Sequence, residues 1–279
     1  MPYSVKILAD SLAPCNKRLT TFELTYPRFV HSELLTHRLF SRNSSSSRAI
    51  PNEKLIEMIK KDPAMPVFWG KNQPGMQSKE EFSFADLYQV KAQWLEARDK
   101  MLEYSEKLAN TGLHKQLCNR IIEPWMFITV IVSATEYSNW FGLRCHKDAQ
   151  PELKFIADEM KKQYDSNDPI PLKPYEWHMP LIYMEDWDTV EDEGKINAIE
   201  ILKKVSVGRC ARVSYLTHDG KRDLAKDIDL HDKLSKSGHW SPFEHVAMAL
   251  NVPEKHGNFI GWYQYRKMFP NEHIGDKML

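Results

Sequence analysis

The residues that could do chemistry concentrate first in 36–51, read as T-H-R-L-F-S-R-N-S-S-S-S-R-A-I-P. His37 and Arg38 open the stretch, Ser41 and Asn43 follow, and Ser46, Ser47 and Arg48 close it. By composition alone this is a solvated Ser-rich turn. The spacing adds something: in an extended segment Ser46 and Arg48 point to the same side. A hydroxyl beside a guanidinium fork is a cradle for a phosphate or a pyrimidine edge. A second concentration is 239–245, H-W-S-P-F-E-H. Two histidines and a carboxylate suggest a metal, but H-x-x-x-x-E-H lacks a third well-placed ligand, so no metal is expected. Ser241-Pro242 instead fits an N-cap with Pro in the first helical position. Arg120 and Arg144 flank a largely apolar stretch, and a lone arginine there reads as a solvated helix-end charge.

The elements that must position these residues follow from hydrophobic period and punctuation. Residues 18–26 alternate β-formers and predict a strand ended by Pro27. The spacing of Phe29, Val30, Leu34 and Leu35 predicts a helix over 28–38, with His37 and Arg38 at its C-terminal end. A short amphipathic helix is expected over 53–61 and an irregular loop over 62–79. The clearest helix is 83–110, with apolar residues at Leu87, Val90, Trp94, Ala97, Met101, Tyr104 and Leu108, Ser83 as its cap and Gly112 as its stop. Residues 113–144 read as helix in two pieces, broken at Pro124. Further helices are expected over 151–164, 191–207 and 227–237. Short strands are expected at 180–184 and 246–252, and 209–215 reads as a turn.

The 279 residues carry zero formal net charge, which gives no electrostatic case for nucleic acid or an acidic membrane. Four cysteines without a C-x-x-C pair read as reduced thiols of a cytoplasmic protein. No signal peptide is legible, and no apolar run is long enough to span a bilayer. No G-x-G-x-x-G follows a strand, and neither a nucleophile elbow nor an activated cysteine is present.

The first stretch resembles the signature of flavin-dependent thymidylate synthases, the ThyX family. That signature runs Arg-His-Arg, two residues, Ser, one, Asn, two, Ser, one, Arg. His37, Arg38, Ser41, Asn43, Ser46 and Arg48 fall in register, whereas Thr36 replaces the first Arg and Ser44 the Glu after the Asn. Arg120 in R-I-I-E-P and Arg144 ahead of A-Q-P-E are similar to two nucleotide-holding arginines of the family. Asn139 matches a flavin-contacting Asn; two more such positions, Asn and Arg in the family, are here Ser133 and Thr135. The run A-R-V-S-Y and then G-H-W-S-P-F-E-H matches a family block in which His239, Ser241 and Glu244 would touch flavin. In ordinary members that block precedes the signature; here it lies near the C-terminus. Residues 261–272 resemble a second, eroded signature, with Gln264, Tyr265 and Arg266 for Arg-His-Arg and Asn271-Glu272 for Asn-Glu. The chain therefore looks circularly permuted, with a repeated signature segment.

The resemblance implies an α+β fold, an antiparallel sheet packed with long helices, in one catalytic domain over 1–279. Within it 1–52 would hold strand and signature, 80–165 the helical region, and 205–279 the permuted flavin-site block. It implies a methyltransferase that passes a one-carbon unit from methylenetetrahydrofolate to C5 of dUMP, with reduced FAD as hydride donor and NADPH as its reductant. A folate- and flavin-dependent hydroxymethylase acting on dUMP or dCMP is the neighbouring alternative, and an inactive nucleotide-binding homologue a third. By the same resemblance Ser46, Ser47, Arg48, Arg120, Arg144 and Glu272 would hold substrate, Arg144 acting on the ionised ring. His37, Arg38, Asn139, His239, Ser241, Glu244, Arg266 and Glu272 would hold the cofactor. A homo-oligomer, dimer or tetramer, with shared active sites is implied, in which Glu272 and Ser46/Arg48 meet at one nucleotide.

Overall fold

The computed structural model describes residues 3–213, 223–270 and 272–274. The chain begins with an antiparallel pair, β1 (Ser4–Leu12) and β2 (Arg18–Pro27), whose register shifts between Ile7 and Ala9. That bulge breaks the alternation of S-V-K-I-L-A-D-S-L, which is why β1 has no clear period in the sequence. A 3-10 turn leads into α1 (His31–Leu35), shorter than the predicted 28–38 helix, so His37 and Arg38 lie in the turn beyond it. The signature continues as β3 (Ser41–Ser44) and a 3-10 turn, Ser47–Ala49. Then come α2 (Asn52–Lys61), α3 (Phe84–Asn110) and α4 (Lys115–Cys118). Ser83 caps α3 by accepting from the Asp86 N–H.

The largest departure from the predicted elements is β4 (Phe127–Ala134), which replaces the second half of the expected 113–144 helix. F-I-T-V-I-V-S-A is a short apolar, β-branched run, and periodicity alone cannot tell a strand buried on both faces from a buried helix. β4 lies between β3 and β2, in a sheet ordered β3-β4-β2-β1 and extended by β5 (Ile170–Pro171), parallel to β1. Before β5 come α5 (Ser138–Arg144) and α6 (Pro151–Ser166). Side chains alternate across the sheet. Phe22, Leu24, Tyr26, Val130 and Val132 face Trp140 of α5 and Leu153, Ile156 and Met160 of α6. Leu19 and Ile131 face the other way.

That other face receives the C-terminal block. The expected 180–184 strand is displaced: β6 (Trp177–His178) precedes it, Leu181 takes a left-handed φ of 63°, and α7 (Met184–Thr189) follows. α8 (Lys195–Arg212) runs through R-C-A-R, where a turn was expected; residues 214–215 of that segment lie outside the described residues. Arg209 holds this end of α8: it donates to Asp186 at 2.6 and 2.7 Å and to Asp227 at 3.1 Å, all three buried. Asp227 belongs to α9 (Leu224–Lys236). Only glycine fits at 208, because a Cβ there would lie 2.3 Å from the Asp227 carbonyl oxygen. β7 (Ala247–Ala249), the small hairpin β8 (Lys255–His256) and β9 (Phe259–Ile260), and β10 (Trp262–Gln264) follow. β10, β7 and β6 form a second sheet that packs Ala247, Ala249 and Trp262 on Leu19.

A buried polar chain joins the two sheets. Ser11 Oγ meets His178 Nδ1 at 2.9 Å, His178 Nε2 meets Thr21 Oγ1 at 2.8 Å, Thr21 meets Ser133 at 2.6 Å, and Ser133 meets His245 Nδ1 at 2.8 Å. Burial pushes the His178 and His245 imidazoles down to about 3. The sign follows: below pH ~6.5 the unfolded chain binds protons at both histidines while the native state does not, so stability falls as pH falls from there toward about 3. Each should contribute about 1.4 kcal/mol of loss per pH unit well inside that window. Urea unfolding at successive pH values measures the slope, which His178→Gln should flatten.

Candidate active site

A cleft of about 430 Å³ opens where the signature turn faces the C-terminal block. Ser46 and Arg48 form one wall, His239, Ser241 and Pro242 another, and His114 and Gln116 of the α4 turn a third, with Leu230 and Leu234 of α9 completing it. Ser46 is extended, but the chain then tightens into the 3-10 turn, so Ser46 to Arg48 is not one extended segment. The turn still presents Ser46 and Arg48 to one cleft and sends Ser47 inward, where its Oγ donates to Glu123 Oε1 at 2.5 Å. Ser47 is thus a buried anchor, contrary to its expected substrate contact. Buried Asn119 donates to the Ser47 and Ile50 carbonyls at 2.7 and 3.0 Å, and Lys115 donates to the Ala49 carbonyl at 3.2 Å. Arg48 is exposed, and among the described residues neither its guanidinium nor the Ser46 hydroxyl has a hydrogen-bond or ionic partner. No described carboxylate lines the cleft. Such a site favours an anion.

Asn43 joins the walls. Its Nδ2 donates to the Cys210 carbonyl at 2.8 Å, and its Oδ1 accepts from Ser241 Oγ at 3.3 Å. His239 Nδ1 meets Ser237 Oγ at 2.8 Å.

A separate cleft of about 330 Å³ gathers Thr36, His37, Arg38, Asn139, Trp140 and Arg144. Arg144 Nε donates to His37 Nε2 at 3.1 Å, which leaves the imidazole proton on Nδ1. Burial, then the nearby Arg144 and Arg42 charges, push His37 down to about 4. The ring stands edge-on to Trp140 at 4.6 Å between centroids and stacks on Phe40 at 5.7 Å. Arg38 is exposed and unpaired among the described residues.

The other residues singled out by sequence lie apart from both clefts. Arg266 bridges Glu244 and Glu272, donating from Nε to Glu272 Oε2 at 2.6 Å, and Lys267 also pairs with Glu272. Arg120 is exposed and pairs with Glu123 at 3.0 Å, on the same carboxylate that Ser47 and Arg28 share. Within one chain, therefore, Arg144 lines a different cleft from Arg48, and His239 a different one from His37. Ser133, which the resemblance placed at a flavin contact, is fully buried in the polar chain, and Thr135 Oγ1 accepts from the Ile260 N–H at 3.2 Å. Asn271 lies outside the described residues. His114 and Gln116 carried no sequence signal, since they fall in the first piece of the expected 113–144 helix, where no motif marks them; in the structure His114 caps the four-residue α4 and Gln116 lies within it. Among the described residues no His, Cys, Asp and Glu group could hold a metal, and no helix is long and apolar enough to cross a membrane.

The family model for thymidylate synthase complementing protein matches residues 12–170. The match includes the signature and Arg144 and stops short of the C-terminal block. No curated protein matches the chain. Among solved structures it is similar to the UMP/dUMP methylase PolB from Streptomyces cacaoi. In the form bound with 5-Br UMP the identity is 15%, covering 58% of this chain and 88% of that one, at a TM-score of 0.47. With 5-Br dUMP the identity is 14%, the cover 58% and 89%, and the TM-score 0.48.

Arg144→Ala should raise the His37 pKa from about 4 toward its ordinary value while burial keeps it lower. An NMR titration of the His37 ring protons reads this directly; an unmoved value would leave burial and the Arg42 charge as the causes.

Proposed function

The chain belongs to the thymidylate synthase complementing protein family, and on that premise we propose that it is a flavin-dependent enzyme placing a methyl group on C5 of dUMP. The observation that carries the reading is Arg48, unpaired among the described residues, beside Ser46 in a cleft without described carboxylates. A guanidinium and a hydroxyl at that spacing suit a nucleotide phosphate, and the cleft falls within the usual size range for small-molecule sites. Leu230, Leu234 and Pro242 would cover the ring and exclude water from it.

Part of a flavin would sit at the second cleft, where Arg38, unpaired among the described residues, suits its phosphates and His37 suits a flat ring. His37, Arg38 and Asn139 would hold it there, with His239, Ser241, Glu244 and Arg266 of another copy completing the site. When bound, flavin supplies the hydride that completes methyl transfer, with methylenetetrahydrofolate as carbon donor and NADPH as reductant. The protein's own part is orientation and charge. Arg48 and Ser46 fix the phosphate. Arg144 stabilises negative charge on the pyrimidine as N3 loses its proton, which makes C5 more nucleophilic. Neutral His37 accepts from Arg144 and so aims its guanidinium. Since Arg144 and Arg48 line different clefts of one chain, the reading requires a homo-oligomer in which one copy's Arg144 reaches another's nucleotide. Arg120 and Glu272 would join the substrate site after exchanging their present partners.

Circular permutation belongs to the same proposal, and the Asn43–Ser241 contact supports it, because residues 198 apart in sequence bring the block beside the signature. A nucleotide hydroxymethylase is the second reading, favoured by Thr36, Ser44, Ser133 and Thr135 standing where the family has other residues, with Ser133 and Thr135 bonded within the protein.

The purified protein should show flavin absorbance and convert dUMP with methylenetetrahydrofolate and NADPH. Product mass separates methyl from hydroxymethyl. Arg48→Ala should weaken dUMP binding about ten- to a hundredfold with flavin content unchanged. A colourless protein that binds no pyrimidine nucleotide overturns the reading.

A further inference from the structure

We propose that His114 and Gln116 form the base-reading wall of the nucleotide cleft and select a 4-oxo pyrimidine over a 4-amino one. This rests on the nucleotide reading above.

The two residues sit where α4 meets the signature turn. The bond from Lys115 Nζ to the Ala49 carbonyl, at 3.2 Å, ties this wall to the turn that carries Arg48. A ligand anchored at Arg48 therefore shares its cleft with this wall. Among the carboxamides lining the cleft, that of Asn43 is occupied at both ends. The Gln116 carboxamide makes no hydrogen bond among the described residues and offers a donor and an acceptor side by side. His114 Nδ1 accepts from the Gln116 N–H at 3.3 Å, so the ring proton sits on Nε2 and that atom is a donor.

Pyrimidine chemistry divides the roles. Uracil presents N3–H, a donor, beside O4, an acceptor; cytosine presents N3, an acceptor, beside the N4 amino donors. A glutamine amide matches either edge after a half-turn about its last torsion, so Gln116 supplies affinity without choice. The His114 Nε2–H has no such freedom while Nδ1 accepts. It complements O4 and opposes the N4 amino group, donor against donor. A site made to bond one group rejects the analogue that leaves its donor unpaired. His114 thus supplies the discrimination.

The test is competitive binding of dUMP, dCMP and 2-deoxyribose 5-phosphate to the purified protein and its variants. Both residues are exposed, and circular dichroism checks that each variant folds. Wild type should prefer dUMP to dCMP by about tenfold or more. Gln116→Ala should weaken both nucleotides about three- to tenfold and leave the sugar phosphate unchanged. His114→Ala should narrow the dUMP preference, and His114→Glu, which puts an acceptor in place of the donor, should turn it toward dCMP. If dUMP binding depends on Arg48 but is indifferent to both wall residues, or if wild type prefers dCMP, this inference falls and the nucleotide reading stands. If wild type binds neither nucleotide, the nucleotide reading falls and takes this inference with it.

Discussion

The carboxamide of Asn43 is the joint on which the cleft depends. Its nitrogen holds the carbonyl of Cys210 at the end of α8, and its oxygen holds Ser241 at the head of the C-terminal turn. Both bonds start from β3, the sheet's edge strand, which pairs with β4 at Ser41 through Ser44. An edge strand has one side free for partners other than a strand. Asn43 is buried, so a donor or acceptor left unbonded there would cost about 1–3 kcal/mol. That cost keeps segments far apart in sequence facing one another across the cleft.

The arginines divide by what they face. Arg18, Arg209, Arg212 and Arg266 are engaged by Asp10, by Asp186 and Asp227, and by Glu244 and Glu272. Arg209 and its two partners are buried, where removing one member would leave an uncompensated charge. Arg38 and Arg48 carry no such partner among the described residues, and each lines a cleft. The same residue type therefore does two jobs. A guanidinium facing a buried carboxylate fastens helices together, and one facing open space remains available to an anion.

Histidines divide in the same manner. His178 and His245 sit in the polar chain between the sheets, neutral by burial and holding the hydroxyls of Ser11, Thr21 and Ser133. His37, half-buried beside Arg144, is neutral as well, but it opens into a cleft and orients a charge. His239 and His114 stand on the walls of the other cleft. H-W-S-P-F-E-H thus contributes one histidine to the core and one to the cleft.

The sequence by itself determined the parts whose signal is local. α3 with its Ser83 cap, the amphipathic α2 and α6, and the strand over Arg18–Pro27 follow from period and punctuation within a single segment. The spacing of Ser46 and Arg48 in register with a known signature pointed to one cleft, and both residues do line one. Tertiary structure decided what no local pattern encodes. Residues 127–134 became a strand because β2 and β3 were there to pair with both its edges. The R-C-A-R segment stayed helical because Asp186 and Asp227, distant in sequence, meet Arg209. Ser47 turned inward toward Glu123, and Ser133 disappeared between Thr21 and His245. His114 and Gln116 gained a place in the cleft through the carbonyl of Ala49, which holds their turn by way of Lys115. A residue's type sets which bonds it can make, but only the packed chain decides which of its partners come within reach.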